Sequence, residues 1–132
     1  MKLIVNIDAP DLARAIEFYT RALGLQHTRT LDDDVAELTG AGTTIYLLQK
    51  AAGSMASTGM RIARDYGRHW TPVHFDLVVS DLDAAVARAI AAGARLEGSP
   101  VEWRGSRCVT FADAFGHGFC LLQFADGKSY GD

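Results

Sequence analysis

The stretch that decides the fold is DAFGHGFCLLQF, residues 113–124. Its first four residues, Asp-Ala-Phe-Gly at 113–116, are typical of a tight turn, because Asp and Gly tolerate turn conformations that other residues resist. The residues after the turn are almost wholly apolar, which predicts a buried final strand. The one reactive side chain of that strand is Cys120. The groups that surround this thiol therefore decide whether the chain is a metal-dependent enzyme or forms a binding pocket.

A hairpin across this turn would pair strands at 107–111 and 118–123. That register places Cys120 opposite Val109. Since side chains alternate along a strand, Cys108 then points to the other face of the sheet. We therefore expect no disulfide between the two cysteines of the chain, in agreement with a reducing compartment.

The predicted elements of the first part of the chain recur in its second part. The first set is a strand at 2–8, a helix starting at Asp11 and ending at Gly24, and strands near 25–31, 34–39 and 43–49. The second set is a strand at 73–79, a helix from the capping sequence Ser80-x-x-Asp83 to Gly93, and strands near 94–103, 106–112 and 117–124. Two short matches support the repeat: Asp11-Leu12 with Asp81-Leu82, and Tyr46-Leu47-Leu48-Gln49 with Cys120-Leu121-Leu122-Gln123.

The repeat predicts an α+β fold of two tandem βαβββ modules that form a cupped mixed sheet with the helices outside. We expect a single domain over residues 1–132. Within it the pattern predicts four parts: module one at 1–50, a linker or functional loop at 51–72, module two at 73–126 and a tail at 127–132.

Composition excludes several classes of protein. With 132 residues, 48% of them hydrophobic and 22% charged, the chain is long enough for one compact core. A formal net charge of −3 and the lack of a Lys/Arg cluster argue against nucleic-acid binding. No window is apolar enough for a membrane span or a signal peptide, so we expect a cytoplasmic protein without a membrane partner.

Three segments resemble the vicinal oxygen chelate superfamily: DLARAIEFYTRALGL at 11–25, HFDLVVSDLDAAVARAIAAGARL at 74–96 and DAFGHGFCLLQF at 113–124. That superfamily includes glyoxalase I, extradiol dioxygenases, fosfomycin-resistance enzymes and bleomycin-resistance proteins. With the repeat, the resemblance covers nearly the whole chain, and it implies the cupped fold and a homodimer. The ending GHGFCLL is similar to a glyoxalase-like branch in which Phe-Cys replaces the apolar-Glu pair of metal-binding members.

The resemblance also implies where a metal would be bound. Metal-dependent members carry His, Gln or Glu on the first and last strands of each module, and these positions correspond here to Ile4, Tyr46, His74 and Cys120. Only His74 is an ordinary ligand of the superfamily. The resemblance therefore implies no metal and no cofactor, and a small-molecule-binding protein of the bleomycin-resistance type. The alternative is a metal-dependent lyase, isomerase or dioxygenase of the glyoxalase class, with His74, Cys120 and Glu37 around a soft divalent ion.

Each candidate ligand-binding residue also has an ordinary explanation. Packing explains Cys120 more simply than chemistry does, since cysteine behaves as a small apolar residue when buried. His74 is either a pocket residue, oriented by Asp76, or a satisfied polar group of the core. Taking Ala41-Gly42 as a turn centre pairs Glu37 with Tyr46, so that Glu37 either replaces the missing carboxylate or is an ordinary strand residue.

Three further positions complete the candidates. The hairpin register places Arg107 opposite Leu122. There it either binds a carboxylate or phosphate group of a ligand or is a solvated charge at the edge of the cleft. Trp103 either stacks on a planar ligand or packs in the core. Trp70, in a polar loop with His69, either closes the cleft or forms a dimer contact. The sequence does not identify the ligand.

Overall fold

The computed structural model describes residues 1–131, which form two compact units, one at 1–67 and one that begins at Arg68. Each unit combines one α-helix with a β-sheet, so the predicted α+β class with its βαβββ modules is confirmed. No helix in the described part of the chain is both long and apolar enough to cross a membrane. The single-domain organisation and the module limits stay predictions.

Unit 1 is a four-stranded sheet with one helix on one face. Its elements are β1 (Ile4–Ala9), α1 (Leu12–Leu23), β2 (Gln26–Leu31), β3 (Val35–Thr39) and β4 (Thr44–Gln49). The strand order is β1-β4-β3-β2, with β1 parallel to β4 and the other pairs antiparallel. The segment after β4 also belongs to this unit, because Arg64 Nε donates to Asp8 Oδ2 at 2.6 Å and Tyr66 donates to the carbonyl of Lys50 at 2.7 Å.

Helix α1 forms where the sequence predicts it. The Asp11 carboxylate accepts the N–H of Arg14 at 3.0 Å, which is the N-cap that the sequence indicates. Gly24 ends the helix with φ 68°, a left-handed conformation that glycine adopts without strain. The buried side chains of the helix lie on one stripe facing the sheet: Leu12, Ala15, Phe18, Tyr19 and Ala22.

Unit 2 repeats this arrangement with one broken strand. Its elements are β5 (Phe75–Val78), α2 (Leu82–Ala91), β6 (Arg95–Leu96), β7 (Val101–Trp103), β8 (Ser106–Ala112) and β9 (Gly118–Phe124). The order is β5-β9-β8-β6, with β7 also paired to β8. The prediction of one strand over 94–103 is wrong: Gly98, with φ 103°, leaves the extended conformation, and Pro100 has no N–H for a sheet hydrogen bond.

The same glutamine contact joins the helix to the last strand in both units. Gln49 Oε1 accepts the N–H of Leu12 at 3.0 Å, and Gln123 Oε1 accepts the N–H of Leu82 at 2.9 Å. Each glutamine therefore satisfies one of the backbone donors that a helix start leaves without an intrahelical partner. This shared contact explains why Gln recurs at equivalent positions of the two modules.

The β8–β9 hairpin departs from the predicted register by one residue. Cys120 lies opposite Thr110, whereas Val109 pairs with Leu121. The turn is longer than four residues because the Asp113 carboxylate accepts the backbone N–H groups of Phe115 at 2.8 Å and His117 at 2.9 Å.

Two predictions about the hairpin are wrong as a consequence. Cys108 shares a face with Cys120 instead of pointing away from it, since Cys108 pairs with Leu122 and Thr110 with Cys120. Arg107 lies opposite Gln123 and not Leu122.

Candidate functional site

The sheet of unit 2 has one face covered by α2 and one that carries its reactive side chains. The Gln123 side chain contacts the start of α2, so the β9 residues on the same face of the sheet as Gln123 face the helix. The opposite face, here called the thiol face, comprises Asp76, Cys108, Thr110, Cys120 and Leu122.

His74, Asp76 and Cys120 form the metal-ligand-type cluster found in the described part of the chain. One ligand atom of each residue lies within 4.8 Å of the other two. Asp76 is the direct neighbour of Cys120 across the parallel β5–β9 pair, and His74 Nε2 lies 3.4 Å from Asp76 Oδ1. The His74 and Asp76 side chains are 44% and 37% exposed, whereas Cys120 is buried. The cluster is thus open to solvent on the side of the imidazole and the carboxylate.

The two thiols of this face are both free. Thr110 Oγ1 lies 3.6 Å from Cys120 Sγ, directly across the hairpin. Burial, with the neighbouring Cys120 as the next cause, raises the pKa of Cys108 to about 12. Because the thiolate is the nucleophilic form, burial makes Cys108 a weaker nucleophile than an exposed cysteine.

Trp70 packs beside this cluster. Its ring meets that of His74 edge-on at 5.3 Å between centroids, and a Cβ added at Gly118 would lie 2.7 Å from it. Arg68 lies over the Trp70 ring at 4.6 Å and forms an ion pair with Glu97. That hydrogen-bonded pair raises the pKa of Arg68 and lowers that of Glu97. The arginine thus ties the tryptophan segment to unit 2.

Sequence reasoning singled out Trp70 but missed its partner Gly118. The available signal was a glycine inside a strand that is otherwise apolar, which indicates close approach by another group. The predicted role of Trp70 in closing a cleft stays a prediction.

In unit 1, the predicted pairing of Glu37 with Tyr46 is confirmed. The Glu37 carboxylate accepts hydrogen bonds from Thr28 Oγ1 at 2.7 Å, Tyr46 Oη at 2.9 Å and Arg29 Nη2 at 3.0 Å. The Arg29 guanidinium, followed by the Thr28 and Tyr46 hydroxyls, lowers the pKa of Glu37 to about 2. Glu37 is therefore an ionised acceptor that is held by three donors.

The two residues of unit 1 to which the resemblance assigns metal ligands, Ile4 and Tyr46, do not fit such a metal. Ile4 has no ligand atom, and the Tyr46 hydroxyl donates its proton to Glu37. Unit 1 thus offers no ordinary ligand at either position. The β1–β4 register nevertheless matches that of β5–β9, because Asn6 lies opposite Tyr46 as Asp76 lies opposite Cys120.

Trp103 and Arg107 lie apart from the cluster. Arg107 is on the α2 side of the sheet, where its guanidinium is 3.3 Å from Asp83 Oδ1. Trp103 packs edge-on against Tyr130 at 5.0 Å. Both residues line a cavity of about 460 Å³ to which none of His74, Asp76 and Cys120 contributes. The six candidate residues therefore occupy three places: the Glu37–Tyr46 pair, the His74–Cys120 cluster and the Trp103–Arg107 cavity.

Comparison with known proteins agrees with this architecture. The family model for the glyoxalase-like domain matches residues 4–122. The chain belongs to the glyoxalase-like family. The resemblance to the vicinal oxygen chelate superfamily is thereby confirmed. A search of curated proteins finds no match to this glyoxalase-like chain.

Solved structures share the fold of this glyoxalase-like protein at low sequence identity. A hypothetical protein from S. aureus is 22% identical with a TM-score of 0.70, covering 93% of this chain and 96% of that one. A lactoylglutathione lyase from Agrobacterium tumefaciens is 17% identical with a TM-score of 0.67, covering 98% and 97%. The fosfomycin resistance protein FosX from Listeria monocytogenes is 17% identical with a TM-score of 0.68, covering 93% and 92%.

Proposed function

We propose that this glyoxalase-like protein binds a small molecule without a metal ion, in the manner of bleomycin-resistance proteins. The observation that carries the proposal is the state of Glu37. Its carboxylate accepts three hydrogen bonds and has a pKa of about 2, so it is neither a free metal ligand nor a competent general base near neutral pH. The metal-dependent alternative with His74, Cys120 and Glu37 uses Glu37 in one of those two roles.

Unit 1 is better suited to recognition than to catalysis. The hydrogen bond to Glu37 holds the Tyr46 ring in a fixed orientation, and such a rigid aromatic group contacts a ligand at low entropic cost. In unit 2, His74 and Asp76 add exposed polar groups beside the apolar ring of Trp70. An aromatic surface with a few polar groups is typical of small-molecule sites. We therefore propose separate contacts in each unit: Tyr46, supported by Glu37, in unit 1, and His74, beside Cys120, in unit 2.

The proposal includes a homodimer, as the superfamily implies. The chain has a mass of 14.2 kDa, so light scattering would give twice that mass in solution. A monomer at all concentrations would contradict this part of the proposal.

The experiment is a calorimetric titration with bleomycin as the probe, on reduced protein dialysed against EDTA. We expect binding in the metal-free protein and the same affinity after Zn²⁺ is added. Tyr46→Ala should weaken binding by about 10-fold, the equivalent of ~1.4 kcal/mol for an aromatic contact. The matched control is Tyr130→Ala, because Tyr130 packs on Trp103 and not on the Glu37–Tyr46 pair.

Three results would contradict the proposal. One is binding only after metal is added. The second is lactoylglutathione lyase activity that appears with Zn²⁺ and disappears in His74→Ala, which would establish the metal-dependent alternative. Failure of metal-free protein to bind bleomycin would remove the bleomycin-resistance assignment.

A further inference from the structure

We propose that the cavity of about 460 Å³ in unit 2 binds a small zwitterion of the amino-acid class through Glu102, Arg107 and Gln123. These side chains lie on the α2 side of the sheet, since Gln123 contacts the start of α2 and Arg107 is its direct cross-strand partner. None of the three residues is a contact in the proposed function, so the site goes beyond it.

The three side chains form a row across three neighbouring strands. Glu102 of β7 pairs with Arg107 of β8, and Arg107 pairs with Gln123 of β9. Directly paired residues project from the same face of a sheet, and neighbouring strands lie about 4.8 Å apart. All three residues line the cavity. A carboxylate, a guanidinium and an amide therefore stand side by side along one wall.

The guanidinium at the centre of this row is available to a ligand. Arg107 Nη2 lies 3.3 Å from Asp83 Oδ1, and the two side chains are 41% and 82% exposed. An ion pair that is so exposed to solvent is weak. It also occupies one of the five N–H donors of the arginine. Because a guanidinium binds a carboxylate through two parallel hydrogen bonds, Arg107 can hold the acid group of a ligand.

Gln123 supplies further donors beside Arg107 in a fixed orientation. Its Oε1 accepts the N–H of Leu82 at 2.9 Å, so the N–H₂ end of the amide remains for a ligand in the cavity. Unit 1 has the same glutamine contact at Gln49, but there the neighbouring strand position is Asp34, whose carbonyl accepts the Gln49 N–H. An arginine beside the helix-anchoring glutamine is thus a feature of unit 2.

Glu102 adds the opposite charge. It is exposed and is the direct cross-strand partner of Arg107, yet Arg107 forms its ion pair with Asp83. Glu102 takes part in none of the ion pairs found among residues 1–131. Its carboxylate is therefore available to the ammonium group of a ligand that Arg107 holds by the acid group.

The charges of the row select the class of ligand. One carboxylate, one guanidinium and one neutral amide match a ligand that carries one charge of each sign. A simple anion would be repelled by Glu102, and a simple cation by Arg107. Trp103 and Ala125 also line the cavity, so an apolar part of the ligand has a surface to contact. An amino acid with an apolar side chain meets all of these requirements.

The test is a titration of the ¹⁵N-labelled full chain, followed by nuclear magnetic resonance, with three probes that share one ring. L-phenylalanine carries both charges, 3-phenylpropionate lacks the ammonium group and phenethylamine lacks the carboxylate. We expect L-phenylalanine to shift the side-chain N–H₂ signals of Gln123 to saturation and to leave those of Gln49, the matched control, unmoved. Each of the other two probes should bind at least about 10-fold more weakly, because it loses a hydrogen-bonded charge.

Two variants assign each charge of the ligand to its partner. Glu102→Gln should remove the preference for L-phenylalanine over 3-phenylpropionate, and Arg107→Gln should remove the preference over phenethylamine. Each should weaken the binding of L-phenylalanine by about 10-fold. The control is Arg95→Gln, at an exposed arginine of unit 2 that does not line the cavity. The backbone amide spectrum checks that every variant is folded.

The proposal is overturned if L-phenylalanine leaves the Gln123 signals unmoved, or if the three probes bind equally well. It is also overturned if both variants, still folded, bind L-phenylalanine as tightly as the parent protein. None of these results bears on the bleomycin titration, so the proposed function and this site fail independently.

Discussion

Replacing Gly118 by alanine should destabilise the protein through Trp70. The added Cβ would lie 2.7, 2.8 and 2.9 Å from three ring atoms of Trp70, closer than van der Waals contact allows. Backbone strain does not arise at this position, because Gly118 is in strand β9. The Trp70 ring must therefore move. The resulting loss of stability cannot exceed the free energy of the contacts that the ring gives up.

The magnitude follows from the burial of the ring. Trp70 is 46% exposed, and a fully enclosed aromatic side chain buries roughly 150–250 Å². The buried part is then about 80–130 Å², or ~2–3 kcal/mol at ~25 cal/mol per Å². Alanine also favours a strand over glycine by about 0.5–1 kcal/mol. We expect a net loss of about 1–2.5 kcal/mol in the free energy of unfolding.

A double-mutant cycle with urea unfolding tests the mechanism. In a Trp70→Ala background the obstruction is absent, so Gly118→Ala should become stabilising by about 0.5–1 kcal/mol. Fluorescence quenching by acrylamide, in a Trp103→Phe background that leaves Trp70 as the only tryptophan, should show a more accessible ring in Gly118→Ala. An equal effect of Gly118→Ala with and without Trp70 would refute the reasoning.

Two further predictions concern the glutamine contacts and the unit 1 carboxylate. Gln49→Ala and Gln123→Ala should each lower the free energy of unfolding, measured in urea, by about 1 kcal/mol, because each substitution leaves a helix N–H without its partner. The control is Gln26→Ala, at an exposed strand position, which should have little effect. Since the pKa of Glu37 falls from 4.5 to about 2 on folding, its stabilising contribution is complete above about pH 4.5 and is lost as the pH falls towards 2. Glu37→Gln should therefore show a weaker loss of stability than the parent between pH 5 and pH 2.5, and identical acid profiles would contradict this.

Local sequence signals were sufficient for most of the fold. The apolar periodicity and the Asp and Gly caps predicted α1, and two short matches revealed the repeat, because these features act over a few residues. The pairing of Glu37 with Tyr46 was also predictable, since Gly40 and Gly42 mark the turn that sets the register.

The register of the last hairpin was not predictable from the same signals. One side-chain contact, in which Asp113 binds two backbone N–H groups, lengthens the turn and shifts the pairing by one residue. Such a shift moves every side chain to the other face, and this is why Cys108 was assigned to the wrong one. The Trp70–Gly118 contact was missed for a different reason: it joins a loop to a strand 48 residues away, which no local pattern encodes.

The paired glutamines have a consequence for how such a protein diversifies. Gln49 and Gln123 fasten each helix from the helix-facing side of a strand, whereas Tyr46 and Cys120 point away from it. The anchoring position and the position that differs between the two modules therefore lie on opposite faces of the same strand. One module carries a tyrosine there and the other a thiol, while the same glutamine contact supports both helices. Substitution at Tyr46 or Cys120 can thus alter the chemistry of its face while the helix support is kept.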